Sequence, residues 1–405
     1  LMSEKRIYAA VPVDKGGAAA ACIISALGNR VSTELTGENG TLFDAALCSF
    51  IVQAQAPELA ELGCTLIGRT FSDDTAPGEL ILRGEHLSFD EAEKAYLSTL
   101  ESVFPVYCGD TPGVSDIKPA EAPKKAASGA VRECRAPKIV HPRVLIPVFP
   151  GTNCEVDTAR AFEAAGAQCD IFVLRSRTAE QINESMEELA RRLKNANILM
   201  LPGGFSGGDE PDGSGKFIAT VLRNARVREQ VSELLEKRDG LAMGICNGFQ
   251  ALIKTGLLPY GRIDTVRPED PTLTFNTIGR HISAIARVRV CSVDSPWMSA
   301  CKSGEVYSVA LSHGEGRFAC SPEMLTRLID NGQVITQYCD LEGHASGSGR
   351  CNLNGSVAAI EGIISPDGRV LGKMGHTERR DADVCVNVPG SYDMPLFESG
   401  VKYFL

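Results

Sequence analysis

The sequence predicts an α/β protein: a doubly wound, mainly parallel sheet preceded by a small α+β domain. Two patterns and one boundary carry that expectation. From Arg143 to Thr255, short apolar runs alternate with helical stretches, as in parallel sheets with helices on both faces. Upstream, shorter strand-like and helix-like runs mix without that rhythm. Between them, Cys108 to Pro142 strings Pro, Ala, Gly and Lys together without apolar periodicity. The 405 residues exceed one ordinary core, and domains of roughly 100–200 residues give two or three. The expected division is a domain 1–107, a linker 108–142 and a domain 143–405.

In the first domain RIYAAVPV, CSFIVQA, CTLIGRTF and ELILRG read as strands, and Gly17 to Leu27 and Phe89 to Leu100 as helices. The Ala-rich run Gly16 to Leu27 follows acidic Glu4 and Asp14 and a strand, so it reads as a buried helix and not a secretory segment. After the linker come four strand-then-helix units: RVLIPVF with Cys154 to Gly166, CDIFVL with Thr178 to Lys194, NILML with Lys216 to Lys237, and LAMGI with Asn247 to Thr255. Thr178 and Gln181 have the spacing of a capping box. Ligands of such a sheet gather at the carboxyl ends of its strands. Beyond Asp270 the strands HISAIARVRV, VYSVALS, QVITQY, SVAAIEGII and RVLGKM follow closely, with one helix from Pro322 to Asp330.

Composition narrows the partners. Lys and Arg number 41 against 51 acids, a net charge of -10 with no extended basic run, which argues against nucleic acid. No run approaches the roughly 20 apolar residues of a membrane span. The 14 cysteines are scattered, with no CxxC pair and no Cys/His spacing of a zinc site. They read as mostly buried thiols in a reducing cytoplasm, and no metal site is expected.

In LAMGICNGFQAL an apolar strand runs into Gly244-Ile245-Cys246-Asn247-Gly248 and then a helix. The two glycines allow a turn too tight for side chains, which presents Cys246 at the sheet's carboxyl edge. A cysteine at a helix N-terminus meets the positive end of the helix dipole, which favours thiolate, and nearby backbone N–H groups can receive an oxyanion. The plainer alternative is a buried structural cysteine that happens to precede a helix.

A thiol nucleophile needs a base, and the base needs an orienting acceptor. His376-Thr377-Glu378 follows the strand RVLGKM, and on extended chain its two outer side chains share a face. His313-Gly314-Glu315 has the same spacing, although glycines flank Glu315 and suggest a looser loop. Both remain open on the residues alone. His86, His141, His281 and His344 sit beside charged or loop residues and read as surface histidines.

Leu201-Pro202-Gly203-Gly204-Phe205-Ser206-Gly207-Gly208-Asp209 follows the strand NILML, and its paired glycines let backbone N–H groups approach a substrate. It fails as a phosphate loop, since Glu210 stands where the first Gly would be and Phe217 where Ser or Thr would be.

PGG, then GxCxG, then HxE is the order found in the class I, triad-type glutamine amidotransferases, which this chain resembles. More narrowly, FPGTNCEVD, LPGGFSGGD, MGICNGFQ, SHGEGRF and LNGSVAAIEGIISPDGRVLGKMGHTERR resemble the glutaminase domain of the phosphoribosylformylglycinamidine synthase family, over Arg143 to Arg380. Upstream, KGGAAAACIISALGNR and LFDAALCSFIVQ are similar to the C-terminal subdomain of that family's synthetase half, which is aminoimidazole ribonucleotide synthetase-like.

The resemblance implies a flavodoxin-like glutaminase fold and a thioester mechanism. Cys246 would attack the glutamine carboxamide, His376 would protonate the leaving ammonia, and Glu378 would orient His376. Gly203, Gly204 and Asn247 would form the oxyanion and substrate-binding backbone. Asn153, Phe205, Gln250, His313, Glu315 and Arg317 would belong to glutamine-site or coupling loops, with His313 outside the triad in a loop facing the synthetase. The implied partners are glutamine and the synthetase domains of a large, fused enzyme. Those domains would use ATP and Mg to make the amidine, and this portion would carry no cofactor of its own. Leu1 opens on a strand with almost no lead-in, so the chain reads as the C-terminal part of that longer protein. Thr377 stands where the family often has Pro, Gly207 where an aromatic residue is common, and Lys15 where Asp often precedes the Gly pair.

Overall fold

A computed structural model of the protein describes residues 4, 6–37, 42–44, 46, 48–61, 63–71, 78–110, 120, 134–205, 215–380, 384, 385, 388 and 390–405. The chain falls into two compact units, Leu1–Val106 with Cys385–Pro389, and Tyr107–Val384 with Gly390–Leu405.

The first unit contains β1 (Ile7–Pro12), α1 (Gly17–Asn29), β2 (Ser32–Leu35), β3 (Phe50–Ala54), α2 (Ala56–Glu61), β4 (Gly68–Phe71), β5 (Glu79–Leu82), β6 (Glu85–Ser88) and α3 (Phe89–Glu101). β1 and β3 pair antiparallel, and a second sheet runs β4-β2-β5-β6. The small side chains of α1 let it sit close, with Ala18, Ala19 and Cys22 buried against Leu35 and Leu42. Four-residue β2 was too short and too polar to read from the sequence, and CTLIGRTF is strand only from Gly68. α3 starts with a complete capping box: Ser88 Oγ accepts from Glu91 N at 3.2 Å, and the Glu91 carboxylate accepts from Ser88 N at 3.1 Å.

The second unit begins with β7 (Arg143–Val148), α4 (Glu155–Ala164), β8 (Gln168–Val173), α5 (Ala179–Leu193), β9 (Ile198–Leu201), α6 (Lys216–Arg223), α7 (Ala225–Ser232), β10 (Leu241–Ile245), α8 (Asn247–Thr255) and α9 (Leu257–Tyr260). It continues with β11 (Thr272–Thr274), β12 (Ile282–Val290), β13 (Val306–His313), β14 (Arg317–Ala319), α10 (Pro322–Asp330), β15 (Val334–Tyr338), β16 (Ile360–Ile364), β17 (Val370–Lys373) and α11 (Leu396–Lys402). Nine strands form one sheet in the order β13-β12-β15-β16-β17-β10-β9-β7-β8. From β8 to β17 neighbours are parallel, and from β17 to β13 antiparallel. β9 and β10 are buried at every residue, as strands covered on both faces must be. β12 alternates buried with more exposed positions because one of its faces is uncovered.

Local chemistry explains the departures from the expected elements. The stretch Lys216 to Lys237 breaks at Asn224, whose extended ψ of 131° ends α6 and whose side chain caps α7 through Arg226 N. In SVAAIEGII, Val357–Ala359 is a 3-10 turn with positive φ at Ala358 and Ala359, and the strand starts at Ile360. Thr178 accepts from Gln181 N at 3.2 Å, but the Gln181 side chain takes Arg177 N, so the box is half made.

Of the expected linker, 111–119 and 121–133 lie outside the described residues. Its described residues bond within the second unit: Ala120 N donates to Gln337 at 2.8 Å, Arg135 N to Asp239 at 2.8 Å and Ile139 N to Phe404 O at 2.9 Å. Among the described residues no helix is long and apolar enough to cross a membrane.

Candidate active site

Cys246 stands between β10 and α8 with φ 52° and ψ -107°, a strained conformation for a side-chain-bearing residue. Its frame explains how the strain persists. A Cβ on Gly244 would meet the Gly248 carbonyl at 2.6 Å, and one on Gly248 would lie 2.0 Å from Leu201 O. Cys246 N donates to Lys373 O at 2.9 Å, and Gln250 N donates back to Cys246 O at 3.0 Å, opening the helix. The thiol is 4% exposed, with Sγ 3.7 Å from Ser312 O. Cys246 is thereby placed at the N-terminus of α8.

His376 follows β17 and is held by its N–H to Ala310 O at 2.9 Å. Its Nδ1 lies 2.6 Å from Glu378 Oε1, and both side chains are buried. Residues 377 and 378 form a turn, so it is a turn and not continued strand that brings the two together. Burial opposes charge on His376, but the Glu378 carboxylate and hydrogen bonding with the Cys154 and Cys246 thiols outweigh it and raise its pKa well above the usual imidazole value. Burial also opposes charge on Glu378, and the His376 ring outweighs it, so that pKa is lowered. The two directions agree on a buried imidazolium–carboxylate pair. Glu378 thus engages Nδ1 of the ring.

Gly203 and Gly204 run beside this pair. A Cβ on Gly203 would lie 2.6 Å from His376 Cε1, and one on Gly204, whose φ is 149°, 2.6 Å from Gly151 O. Gly204 bridges Thr152, and Asn153 N approaches Gly203 O at 3.3 Å, so the FPGTNC and LPGG loops pair at the sheet edge. Asn247 Nδ2 donates to Gln250 Oε1 at 2.9 Å, and Gln250 Nε2 to Glu315 O at 2.5 Å. The SHGEG loop is thereby tied to α8, the helix that Cys246 precedes. His313 and Glu315 are buried there, while Arg317 donates to Phe275 O at 3.0 Å. The Phe205 ring centroid stands 6.0 Å from that of His281. Gly207 and Gly208 lie outside the described residues.

Sequence reasoning gave no role to Cys154, whose Sγ lies 3.8 Å from His376 Nδ1 and 3.3 Å from Arg379 Nη2. Its only signal was its place inside FPGTNCEVD. Cys154, His376 and Glu378 offer donor atoms within 4.8 Å of one another, the one such set among the described residues. The 2.6 Å Nδ1–Oε1 separation is that of a shared proton, whereas two ligands on one zinc stand about 3.3 Å apart. Burial pushes other thiols, those of Cys291, Cys301 and Cys339, up to about 12.

Also unread was a fully buried ion pair under the site, Lys373 Nζ to Glu361 Oε1 at 3.2 Å. Lys373 Nζ donates to Gly375 O at 2.9 Å and Gly375 N donates to Glu361 Oε1 at 2.6 Å, while the Thr336 hydroxyl donates to the other carboxylate oxygen. The pair thus brackets Gly375, the residue that precedes His376.

Comparison with known proteins places the second unit in a family. Residues 141–404 match the CobB/CobQ-like glutamine amidotransferase domain family. Phosphoribosylformylglycinamidine synthase subunit PurQ of Symbiobacterium thermophilum is 37% identical over 258 residues, covering 64% of this chain and 95% of the relative. The same subunit of Methanococcus maripaludis is 34% identical over 250 residues, covering 59% and 83%. A chain in the structure of PurLQS from Thermotoga maritima is 26% identical, with TM-score 0.47, covering 65% of this chain and 100% of that one.

Proposed function

The chain belongs to the CobB/CobQ-like glutamine amidotransferase family, and from that premise we propose that Cys246, His376 and Glu378 are its glutaminase triad. Its relatives identify the activity as the glutaminase of phosphoribosylformylglycinamidine synthase, in purine biosynthesis. The observation that carries the residue assignment is the Cys246 elbow beside a buried imidazolium–carboxylate pair.

In this reading Cys246 thiolate attacks the carboxamide carbon of glutamine. The oxyanion is received by backbone N–H groups of Gly204 and Asn247, with Gly203 admitting the substrate's close approach. His376 gives its Nε2 proton to the leaving ammonia, and a glutamyl thioester remains. His376 then takes a proton from water as the water opens the thioester to glutamate. Asn153, Phe205, Gln250, His313, Glu315 and Arg317 line glutamine-site or coupling loops. The support is that Gln250 binds Glu315 O and Ser312 O approaches the thiol.

The partners are glutamine and a synthetase in the cytoplasm that consumes the ammonia, using ATP and Mg held by the synthetase. The first unit, read as 1–107 with a linker 108–142, belongs on this proposal to the synthetase half of a fused enzyme. Its support is the likeness of KGGAAAACIISALGNR and LFDAALCSFIVQ to that subdomain.

Glutamate release from glutamine tests the assignment. Cys246→Ala is expected to abolish it, and equal activity in that variant would remove Cys246 as nucleophile. The chain alone is expected to hydrolyse glutamine feebly, since such sites close fully only with their synthetase. Full-rate hydrolysis would contradict that expectation.

A further inference from the structure

Asn276 lies in the loop between β11 and β12, far from the triad in sequence, and is 2% exposed. Its amide uses all four of its hydrogen-bonding positions. Nδ2 donates to His313 O at 2.8 Å and to Arg280 O at 3.0 Å, and Oδ1 accepts from Gly316 N at 3.1 Å and lies 3.2 Å from His313 Nδ1. Backbone carbonyls only accept and backbone N–H groups only donate, so these partners fix which end of the amide is which. Oδ1 being an acceptor, the proton of the neutral His313 ring sits on Nδ1 and the lone pair on Nε2.

Nε2 of His313 is buried and has no hydrogen-bond partner among the described residues. Burial, with His376 and His281 nearby, lowers the pKa of His313 to about 3, so the ring stays neutral. An unpaired acceptor in such a place is destabilising unless something fills it. The residues on either side belong to the nucleophile's surroundings: Ser312 O lies 3.7 Å from Cys246 Sγ, and Glu315 O receives Gln250 of α8.

We propose that Asn276 is a positioning residue for glutamine recognition: it holds the 313–316 loop against the nucleophile's helix and fixes His313 as the Nδ1–H tautomer, whose buried, unsatisfied Nε2 is the acceptor for an N–H donor of glutamine. The inference rests on the glutaminase reading above. The two shape-matched replacements fail for opposite reasons. Aspartate would set lone pairs against the carbonyls of His313 and Arg280, and leucine would leave all four partners unpaired.

The test compares two reagents at Cys246 of the full chain, each followed by peptide mapping. One is a glutamine-shaped diazoketone, the other methyl methanethiosulfonate, which needs no glutamine site. In Asn276→Asp the diazoketone is expected to react roughly tenfold or more slowly, while methyl methanethiosulfonate stays within about twofold. Unchanged diazoketone labelling, or an equal fall with both reagents, would overturn the proposal. A second measurement needs no variant: nitrogen NMR of the wild-type protein is expected to show His313 protonated at Nδ1 alone, and a bare Nδ1 would overturn it. Wild-type protein that the diazoketone never labels at Cys246 would instead defeat the glutaminase reading itself.

Discussion

The two halves of the nine-stranded sheet build the site by different means. The parallel half presents Cys246 through backbone: a strained φ, glycines at 244 and 248 that no side chain could replace, and a place at the N-terminus of α8. The antiparallel half, joined at β17, supplies side chains held by buried polar partners: His376 by Glu378, His313 by Asn276, and the Gly375 peptide by Lys373 and Glu361. Reactivity on one side is thus a matter of backbone shape. On the other it depends on which charges and protons are paired in a place water does not reach.

Substitutions that keep shape and change charge should therefore fall hardest on the antiparallel half. Glu378→Gln is nearly isosteric, yet it is expected to slow glutamine hydrolysis on the order of 10²–10⁴-fold by depriving His376 of its acceptor. Its stability profile carries a sign. The raised pKa of His376 gives stability that is full below the ring's usual 6.5 and lost as pH rises through the folded value. The lowered pKa of Glu378 gives stability that is full above its usual 4.5 and lost as pH falls through the folded value. The difference between wild type and variant in urea unfolding should be greatest between those two values and shrink on both sides. A difference that grows steadily with pH would mean that the two groups are not charged together.

The same contrast decides what could be read from the sequence. The parallel half was legible because its strands are continuous apolar runs and its elbow is punctuated by glycine, both local signals. Local pattern did not separate the two candidate bases, since His376 and His313 each precede a Glu by two residues. What separates them is tertiary: His376 meets Glu378 through a turn, whereas His313 meets Asn276, 37 residues away. Cys154 reaches His376 across 222 residues, and Glu361 reaches the Gly375 peptide from the neighbouring strand, so neither left a mark in its own sequence window.

Lys373→Met sharpens the comparison at the next level. It leaves the Glu361 carboxylate buried without its partner, and the expected loss is about 3–5 kcal/mol in denaturant unfolding. The neutral pair Lys373→Met with Glu361→Leu should regain most of that stability, because removing both charges also removes the cost of burying them. If the double variant were as unstable as the single one, the bracket would matter through its hydrogen bonds to Gly375 and not through charge.

The smallest expected effects serve as the control, because they touch each half away from the site. Thr178 caps α5 beside the parallel strands and Ser321 caps α10 beside the antiparallel ones, each accepting a backbone N–H at 3.2 Å. Thr178→Ala and Ser321→Ala should each cost about 1 kcal/mol of stability and leave glutaminase activity unchanged. Equal costs would show that the two halves are equally cooperative parts of one folding unit, so that the unequal effects at the site arise from its chemistry. A much smaller cost for Ser321→Ala would mean instead that the antiparallel half opens locally before the rest, and the sensitivity of His313 and His376 to their partners would then reflect a softer scaffold.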